Sequence, residues 1–415
     1  MRLLGVHRIH YRKGGAEAVH FDHLALFREH GWTCAEFVMD HPLNEPSEWS
    51  SYFPSYFDPP GGLKGLPATP RFFHSSEARA KFARLLDDFK PDIIHAHGLY
   101  QQLTSAIVAP ARARNIPFVY TLHDFKLICP AYFFYNRKKG VCEECRGGAQ
   151  WRCAVNNCCD NFAKSALYAA DGLYQWRKGE MRHDIARYIA PSRFLARKYA
   201  EHGFDAERIR YVPNFFETQD DAPADAAMMA TLRARHGRYL AYFGRLSQEK
   251  GVSLLIDAAH AAKTPLVLVG DGPQRADLEA QVRALGADCV FVGHQSGPAL
   301  WAHVEAAVAV ALPSIWYENA PKSILEAQAR GKPAIVSELG GLPEMVEDGV
   351  TGFICKSGDR ASLADCIARL FALEPGALAA MGEKARASAR TNFTRERYYR
   401  EMARVYAELA PGAAP

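Results

Sequence analysis

Short apolar runs alternate with amphipathic stretches along the second half of the chain. The runs have the length and aliphatic content of buried strands, and the stretches between them carry apolar residues at helical spacing. The predicted strands cover 238–244, 265–269, 289–292, 307–312 and 333–337, and the predicted helices cover 251–262, 274–285, 297–306 and 321–330. Strands that are separated by helices predict parallel βαβ units and a doubly wound α/β sheet.

The first half repeats this pattern less regularly. Its predicted strands cover 3–6, 33–39, 93–96 and 117–122, and its predicted helices cover 16–30 and 76–89. A chain of 415 residues, 48% of them hydrophobic, is too long for one typical core, so two domains are expected. The acidic, alanine-rich and proline-containing segment 217–231 is predicted to link them.

An acidic residue runs directly into a helix start at 317–327, which reads Tyr-Glu-Asn-Ala-Pro-Lys-Ser-Ile-Leu-Glu-Ala. Asn319 is predicted to be the N-cap, and Pro321 suits the first turn. The free N–H groups and positive dipole end of such a helix suit a diphosphate. Glu318 precedes the helix and Glu326 lies about two turns further on, within reach of hydroxyl groups of the same ligand. An ordinary solvated helix with two surface carboxylates is the alternative.

Two basic residues follow the predicted strand 238–244. Arg245 and Lys250 lie in Gly-Arg-Leu-Ser-Gln-Glu-Lys-Gly, at the carboxyl end of that strand, where open parallel sheets bind ligands. Arginine supplies a planar fork and lysine a compact charge, so together they can neutralise a leaving pyrophosphate. Taken alone, such a pair is more often a solvated turn. Its combination with the segment 318–326 is much rarer and favours a site for a diphosphate.

The combination resembles the retaining GT-B glycosyltransferases of glycosyltransferase family 4. The resemblance implies that Arg245 and Lys250 hold the nucleotide diphosphate, that Glu318 lies near the donor sugar and phosphate, and that Glu326 binds the ribose. It also implies donor contacts from the Gly-Asp-Gly-Pro loop and from the helix start, namely from Gly270, Gly272, Asn319, Ala320 and Pro321. The segment Gly-Gly-Leu-Pro-Glu at 340–344 matches a further recurrent element of the family.

The amino-terminal half carries further elements of this resemblance. His123, in His-Asp-Phe-Lys-Leu-Ile-Cys-Pro, corresponds to a histidine that approaches the transferred sugar, and a structural histidine is the alternative. His97 follows a strand-end pattern and is assigned to the acceptor groove. Gly14 and Gly15 open a helix, and in the family this loop closes over the donor phosphate or sugar.

The family fold implies two Rossmann-like doubly wound domains that face a cleft. Residues 1–215 would bind the acceptor and contain a cysteine-rich insertion at about 126–165, residues 216–390 would bind the nucleotide sugar, and the helix within 391–415 would cross back to the first domain. The implied reaction moves a hexose from a UDP- or GDP-linked sugar to a hydroxyl acceptor with retention of configuration. A lipid-linked or growing cell-surface polysaccharide is the expected acceptor, by analogy alone.

Six of the ten cysteines fall between residues 129 and 159. The spacing of four of them suits a structural zinc in a reducing compartment; these are Cys142, Cys145, Cys153 and Cys158. Cys129 or Cys159 is an alternative ligand, and free buried thiols or disulfides are the alternatives to a metal. No Asp-x-Asp pattern occurs, so no catalytic cofactor is expected, and the fixed cations are expected to serve in place of a metal on the diphosphate.

Charge is nearly balanced, with 50 Lys and Arg against 46 Asp and Glu, so neither nucleic acid nor a strong global attraction to membranes is expected. Basic and aromatic residues are interleaved in the amino-terminal half, which is typical either of a surface that docks on anionic headgroups or of ordinary solvated surface. No apolar run reaches the roughly 20 residues of a membrane span, and no signal peptide is evident. A cytoplasmic protein, at most peripheral on the inner face of the membrane, is therefore expected.

Two other classes of protein stay open. A sugar-nucleotide epimerase shares the implied fold and would convert its substrate without an acceptor. A non-catalytic, zinc-stabilised scaffold would bind a nucleotide sugar weakly and would not depend on Arg245 and Lys250.

Overall fold

Two six-stranded parallel sheets, each flanked by helices, organise the chain. The computed structural model describes residues 1–11, 14–57, 69–216 and 223–410. Some of the predicted features lie outside the described residues. These are residues 217–222 of the predicted linker, Arg12 with Lys13, and the last five residues of the predicted carboxy-terminal segment. Two units divide the chain, Met1–Pro213 with Tyr398–Pro415, and Asn214–Arg397.

The first unit contains a sheet with the strand order β2-β1-β3-β4-β7-β8. Every neighbouring pair in it is parallel. Its strands are β1 Arg2–His7, β2 Thr33–Phe37, β3 Ile93–Gly98, β4 Phe118–Thr121, β7 Arg187–Ala190 and β8 Ile209–Tyr211. The strand order reverses between β1 and β3, and ligands of open α/β sheets bind outside the carboxyl ends of strands at such a point.

Helices of the first unit pack around this sheet. They are α1 Gly15–Glu29, α2 Thr69–Phe73, α3 Ser76–Phe89, α4 Tyr100–Leu103, α5 Val108–Ala113, α6 Arg152–Val155, α7 Phe162–Lys178, α8 Glu180–His183, α9 Arg193–Glu201 and, from the end of the chain, α17 Arg395–Leu409. A two-stranded antiparallel hairpin, β5 Tyr135–Asn136 with β6 Gly140–Val141, lies in the cysteine-rich insertion. The strands β7 and β8 were not predicted, because each contains an arginine and lacks the continuous apolar run that marks the other short strands.

The second unit contains a sheet with the order β11-β10-β9-β12-β13-β14, all parallel. Its strands are β9 Leu240–Phe243, β10 Leu266–Val269, β11 Cys289–Gly293, β12 Ala309–Leu312, β13 Ala334–Ser337 and β14 Gly352–Cys355. Its helices are α10 Ala226–His236, α11 Val252–Ala261, α12 Arg275–Leu285, α13 Gly297–Ala306, α14 Lys322–Ala329, α15 Arg360–Phe371 and α16 Pro375–Asn392. The prediction of doubly wound α/β sheets is confirmed.

Aliphatic strands explain why the second sheet is buried on both faces. All four residues of β9, β10 and β12 are buried, as the continuous apolar runs of the sequence predict. The order of this sheet reverses between β9 and β12, so the loops that follow these two strands meet at one edge. Those loops contain the predicted diphosphate residues.

Candidate active site

Glu318 and Lys250 form a buried ion pair where the strand order of the second sheet reverses. Lys250 Nζ lies 2.7 Å from Glu318 Oε1, and only 5% of Glu318 is exposed. The same oxygen accepts hydrogen bonds from the Ser314 hydroxyl at 2.6 Å and from the Trp316 indole N–H at 2.8 Å. Burial by itself raises the pKa of Glu318, but the Lys250 charge and these donors outweigh it and hold the pKa below its ordinary value. Glu318 is therefore an ionised carboxylate of fixed orientation.

Three loops are joined to one another by backbone contacts around this pair. The Ile315 amide donates to the Glu249 carbonyl at 2.9 Å, which ties the loop after β12 to the loop after β9. The Gly341 amide donates to the Glu318 carbonyl at 2.7 Å. A Cβ on Gly340 would lie 2.1 Å from that carbonyl oxygen, and Gly340 has a φ of +70°. The Gly-Gly-x-Pro-Glu element thus supports the backbone of Glu318, and larger residues cannot replace its first glycine without moving it.

The Gly-Asp-Gly-Pro loop packs against the backbone of the loop that carries Arg245. A Cβ on Gly270 would lie 1.9 Å from the Gly244 carbonyl oxygen, and one on Gly272 would lie 2.3 Å from the Leu246 carbonyl oxygen. The Leu246 amide donates to the Asp271 carbonyl at 2.9 Å. Both glycines are therefore required for close contact between two loops, and this contact places them at the same sheet edge as Lys250.

Arg245 differs from Lys250 in its surroundings. Its side chain is exposed, and within the described residues it has neither an ion pair nor a side-chain hydrogen bond. Its carbonyl accepts a hydrogen bond of 2.7 Å from the Tyr242 hydroxyl, which anchors the backbone while the guanidinium extends from it. The structure therefore supplies one cation that is already paired and one that is available to an anion.

The helix that follows Glu318 begins later than the sequence predicts. Helix α14 starts at Lys322, and Pro321 occupies the N-cap position with no side-chain capping bond, so the prediction of Asn319 as N-cap is wrong. Proline cannot donate a backbone hydrogen bond and restricts the residue before it to an extended conformation, which delays the helix. Asn319, Ala320 and Pro321 consequently form an extended approach to the helix. Glu326, in the second turn of α14, is partly exposed.

A histidine pair lies at the corresponding edge of the first sheet. His97 belongs to β3, and its Nδ1 lies 3.1 Å from Nε2 of His123, which follows β4. Their rings stack with centroids 5.3 Å apart. His123 is partly exposed, whereas His97 is 0% exposed. Burial lowers the pKa of His123 to about 3 and lowers that of His97 well below its ordinary value. Both imidazoles are therefore neutral at neutral pH.

The start of helix α1 lies at the carboxyl end of β1. Gly14 is the N-cap and Gly15 the first helical residue, and none of the described residues lies within 4 Å of a Cβ placed on Gly15. Glu17 is 4% exposed and accepts a hydrogen bond of 2.8 Å from Arg8. Burial raises the pKa of Glu17, but the hydrogen bond from Arg8 and the nearby charges lower it overall. The Gly-Gly-x-Glu element thus holds a buried carboxylate paired with arginine, a role that sequence analysis did not assign to Glu17.

Further buried histidines surround His97, and they include His95 of the same strand-end pattern, which the sequence favours as a structural residue. Among the described residues, one trio of metal-binding side chains has its ligand atoms all within 4.8 Å of one another, namely His23, His95 and His97. His23 bonds to the hydroxyls of Tyr398 and Tyr406, at 2.9 and 3.0 Å. His95 bonds to the hydroxyls of Tyr406 and Thr121. Because hydroxyl groups occupy both nitrogens of two of the three rings, this trio anchors α17 to the first unit rather than presenting ligands to a metal.

The cysteine-rich insertion brings some of its thiols together. All six of its cysteines are free thiols, and Cys153 makes sulfur hydrogen bonds to both Cys158 and Cys159. These bonds lower the pKa of Cys158 and of Cys159 to about 7. Over the described residues, no three of the cysteine sulfurs lie within 4.8 Å of one another. The soft donor set fits zinc, and Cys153 and Cys158 are in contact, but neither Cys142 nor Cys145 lies within 4.8 Å of both of them.

Comparisons with known families cover both units. The family model described as Glycosyltransferase Family 4 matches residues 13–220, and the one described as Glycosyl transferases group 1 matches residues 228–388. The chain belongs to glycosyltransferase family 4. This family 4 chain is 33% identical over 190 residues to the lipopolysaccharide 1,2-N-acetylglucosaminetransferase of Salmonella typhimurium, across 42% of the chain and 50% of that protein. It is 31% identical over 179 residues to the alpha-D-kanosaminyltransferase of Streptomyces kanamyceticus, across 40% and 45%.

These matches span about half the length of the relatives. A solved structure, Anabaena HepE in complex with UDP and glucose, matches the family 4 chain with a TM-score of 0.70 and 20% identity, over 98% of this chain and 100% of that one. At that identity the likeness shows the fold, which is the two-domain Rossmann-like GT-B fold. Within the described residues, none of the helices is long and apolar enough to cross a membrane.

Sequence analysis named the charged residues of the candidate site and missed their supports. Ser314 and Trp316 both donate to Glu318, and they lie four and two residues before it. A polar or aromatic donor so close to a buried carboxylate is a signal that could have identified them. The hydrogen bond between His97 and His123 joins residues that are 26 positions apart, so no local pattern could have revealed it.

Proposed function

We propose that this chain is a retaining hexosyltransferase that uses a nucleotide diphosphate sugar as donor and a hydroxyl group as acceptor. The observation that carries the proposal is the group formed by Lys250, Glu318 and exposed Arg245 at the switch point of the second sheet. A diphosphate needs fixed positive charge and N–H donors there, and a sugar needs an oriented carboxylate. UDP and glucose are bound by Anabaena HepE, so UDP-glucose is the first donor to test.

Lys250 would serve two partners at once. Its ammonium group has three N–H donors, and Glu318 accepts one of them at 2.7 Å. The remaining donors would bind a phosphate oxygen without breaking the ion pair. Arg245 would supply a second, bidentate contact to the diphosphate, and the two cations would stabilise the charge that develops on the leaving nucleotide. The same charge stabilisation would let catalysis proceed without a metal on the diphosphate.

The approach to α14 would complete the donor site. Asn319, Ala320 and Pro321 lead into its first turn, and the positive dipole end of the helix attracts negative charge there. Glu326 would bind the ribose from the next turn. Gly270 and Gly272 would let the nucleobase approach the backbone, and Gly14 and Gly15 would do the same for the donor phosphate or sugar.

His123 would orient a sugar hydroxyl as a neutral imidazole. A neutral ring has one donor nitrogen and one acceptor nitrogen, and the bond to His97 determines which nitrogen is which. Because His97 is fully buried, we place it behind His123 as a positioning residue rather than in direct contact with the acceptor. The acceptor itself is proposed to be a lipid-linked or growing cell-surface polysaccharide, reached by peripheral association with the inner face of the membrane.

The zinc site belongs to the same proposal. Zinc would be held by Cys142, Cys145, Cys153 and Cys158, with Cys129 or Cys159 as a replacement ligand, and its role would be to stabilise the insertion. Metal analysis of the purified chain should find about one zinc per chain. Cys153→Ser should lose the metal, whereas Cys34→Ser, at a buried cysteine outside the insertion, should keep it. Metal-free wild-type protein of unchanged thermal stability would contradict a structural zinc.

A donor screen tests the proposed activity. UDP-, GDP- and ADP-sugars are each incubated with the chain, and both nucleotide release and the anomeric configuration of the product are measured. We expect release from one donor class, increased by a hydroxyl acceptor, with retained configuration. Interconversion of the sugar with no acceptor present would instead identify an epimerase. Binding without turnover that survives the double substitution of Arg245 and Lys250 by alanine would identify a non-catalytic scaffold.

A further inference from the structure

Exposed apolar side chains concentrate in the cysteine-rich insertion. Seven large hydrophobic side chains are exposed in the part of the chain that the structure describes, and four of them lie within the 30 residues from 133 to 162. These four are Phe133, Trp151, Val155 and Phe162, with exposed fractions of 49, 51, 71 and 69%. Single exposed apolar residues are common, but such a concentration in a small segment marks an interaction surface.

Three of these side chains belong to one packed substructure. Trp151 and Val155 are one helical turn apart, because the Val155 amide donates to the Trp151 carbonyl at 3.4 Å. Helix α6, which contains Val155, packs against α7, which Phe162 begins. The sulfur contacts of Cys153 with Cys158 and Cys159 hold the connection between the two helices close to α6. We call Trp151, Val155 and Phe162 the apolar tip.

Basic residues outnumber acidic ones in the segment that contains the apolar tip. Residues 131–165 contain six Lys and Arg against three Asp and Glu, whereas the whole chain is nearly balanced. All three acids are paired with cations: Glu144 with Lys139 and Arg152, Glu143 with Lys198, and Asp160 with Arg137. The exposed cations Lys138 and Lys164 add positive charge to the same segment.

We propose that the apolar tip and its cations dock on the surface of an anionic phospholipid bilayer. Tryptophan prefers the boundary between headgroups and acyl chains, and exposed apolar side chains gain from partial insertion there. Each nearby cation adds attraction to anionic headgroups, which falls with salt because the charges are exposed. This inference deepens the proposed function, since a lipid-linked acceptor would lie in the same bilayer, but it concerns a surface that the proposed donor site does not include.

Vesicle binding tests the proposal with the full chain and without any nucleotide sugar. We expect co-sedimentation with vesicles of equal parts phosphatidylglycerol and phosphatidylcholine, weak binding to pure phosphatidylcholine, and loss of binding when salt rises from about 0.1 M to about 0.5 M. Trp151→Ser with Phe162→Ser should weaken binding at least about tenfold. Lys138→Glu with Lys164→Glu should do the same.

Matched controls keep the test specific. Leu43→Ser removes a hydrophobic side chain that is 64% exposed in the same unit but outside the insertion, and it should bind vesicles like the wild type. Arg404→Glu changes an exposed cation on α17 and should have little effect. The thermal unfolding midpoint of each variant must match that of the wild type. We expect it to match, because the substituted side chains are exposed.

Depth of insertion gives a second, independent measurement. Bromine-labelled acyl chains quench tryptophan that reaches them, so wild-type fluorescence should fall on binding and that of Trp151→Phe should fall far less. Equal binding by the apolar-tip variants, or quenching that is unchanged in Trp151→Phe, would overturn the proposal. Dimerisation that the Trp151→Ser and Phe162→Ser substitutions abolish, with no vesicle binding, would overturn it in favour of a protein interface. Donor binding is measured separately without vesicles, so failure of either proposal leaves the other intact.

Discussion

The pair Lys250–Glu318 and the pair His97–His123 lie at corresponding edges of the two sheets, yet they handle charge in opposite ways. The first keeps a carboxylate ionised, because an ammonium group and two neutral donors meet on one oxygen. The second keeps two imidazoles neutral, because burial outweighs everything else around them. A doubly wound sheet thus supplies only the location. The residues in the loops decide whether the site binds an anion or orients a neutral hydroxyl.

Lys250→Ala is expected to have the largest effect on this contrast. It removes a charge from the leaving group and leaves Glu318 buried without its cation, so turnover should fall about a hundredfold or more and the free energy of unfolding by about 3 kcal/mol. Adding Glu318→Gln should restore most of the stability and none of the turnover. Urea unfolding and initial rates of nucleotide release measure the two effects. A double variant as unstable as the single one would show that the ion pair is not the cause.

Arg245→Ala sharpens the same contrast. Unlike Lys250, Arg245 has no ion pair within the described residues, so its removal leaves no buried carboxylate without a cation. We expect turnover to fall about a hundredfold while the free energy of unfolding changes by less than about 0.5 kcal/mol. Arg369→Ala, at an arginine that is half exposed in the same unit, serves as control and should change neither quantity. Similar losses in both variants would argue for a general effect of surface charge.

Acid should weaken the first unit through its buried histidines. Burial lowers the pKa of His23 to about 3, so the unfolded chain binds more protons than the folded one below about pH 6.5. The stability that depends on a neutral His23 is fully present above pH 6.5 and is lost as the pH falls toward 3. The free energy of unfolding should fall by about 2 kcal/mol between pH 7 and pH 5. Urea unfolding at several pH values measures this loss. His23→Phe should remove up to one proton from the difference in proton binding between the unfolded and folded chains, so the free energy of unfolding should depend less steeply on pH. An unchanged slope would contradict the assignment.

His97→Leu should have a smaller effect that falls on activity. Loss of its bond to His123 should lower kcat about tenfold with the donor KM unchanged, because a small displacement of a positioned group is costly. His97→Gln can restore a hydrogen bond and should recover part of the rate. The kcat of each variant relative to the wild type is measured together with its thermal stability. This separates a role in positioning His123 from a role in folding. A loss of stability in both variants with an unchanged kcat would assign His97 a purely structural role.

Local pattern predicted the second unit well. Its continuous apolar strands and glycine-marked turns led to the correct α/β architecture and to the loops that contain Arg245, Lys250 and Glu318. It failed at the start of α14, where Asn319 has the chemistry of a cap but the following proline shifts the helix to Lys322. In the first unit, short strands such as β8 carry too little apolar periodicity to stand out.

By itself, the sequence determined the alternation of strands and helices, the family, and which residue types stand at the turns, because these depend on neighbours along the chain. Tertiary structure decided what those residues do to one another. The hydrogen bond from Lys250 to Glu318 spans 68 positions, and the one between His23 and Tyr406 spans 383. Such contacts set burial and protonation, and no local pattern encodes them, because they exist only after strands distant in sequence pair into one sheet.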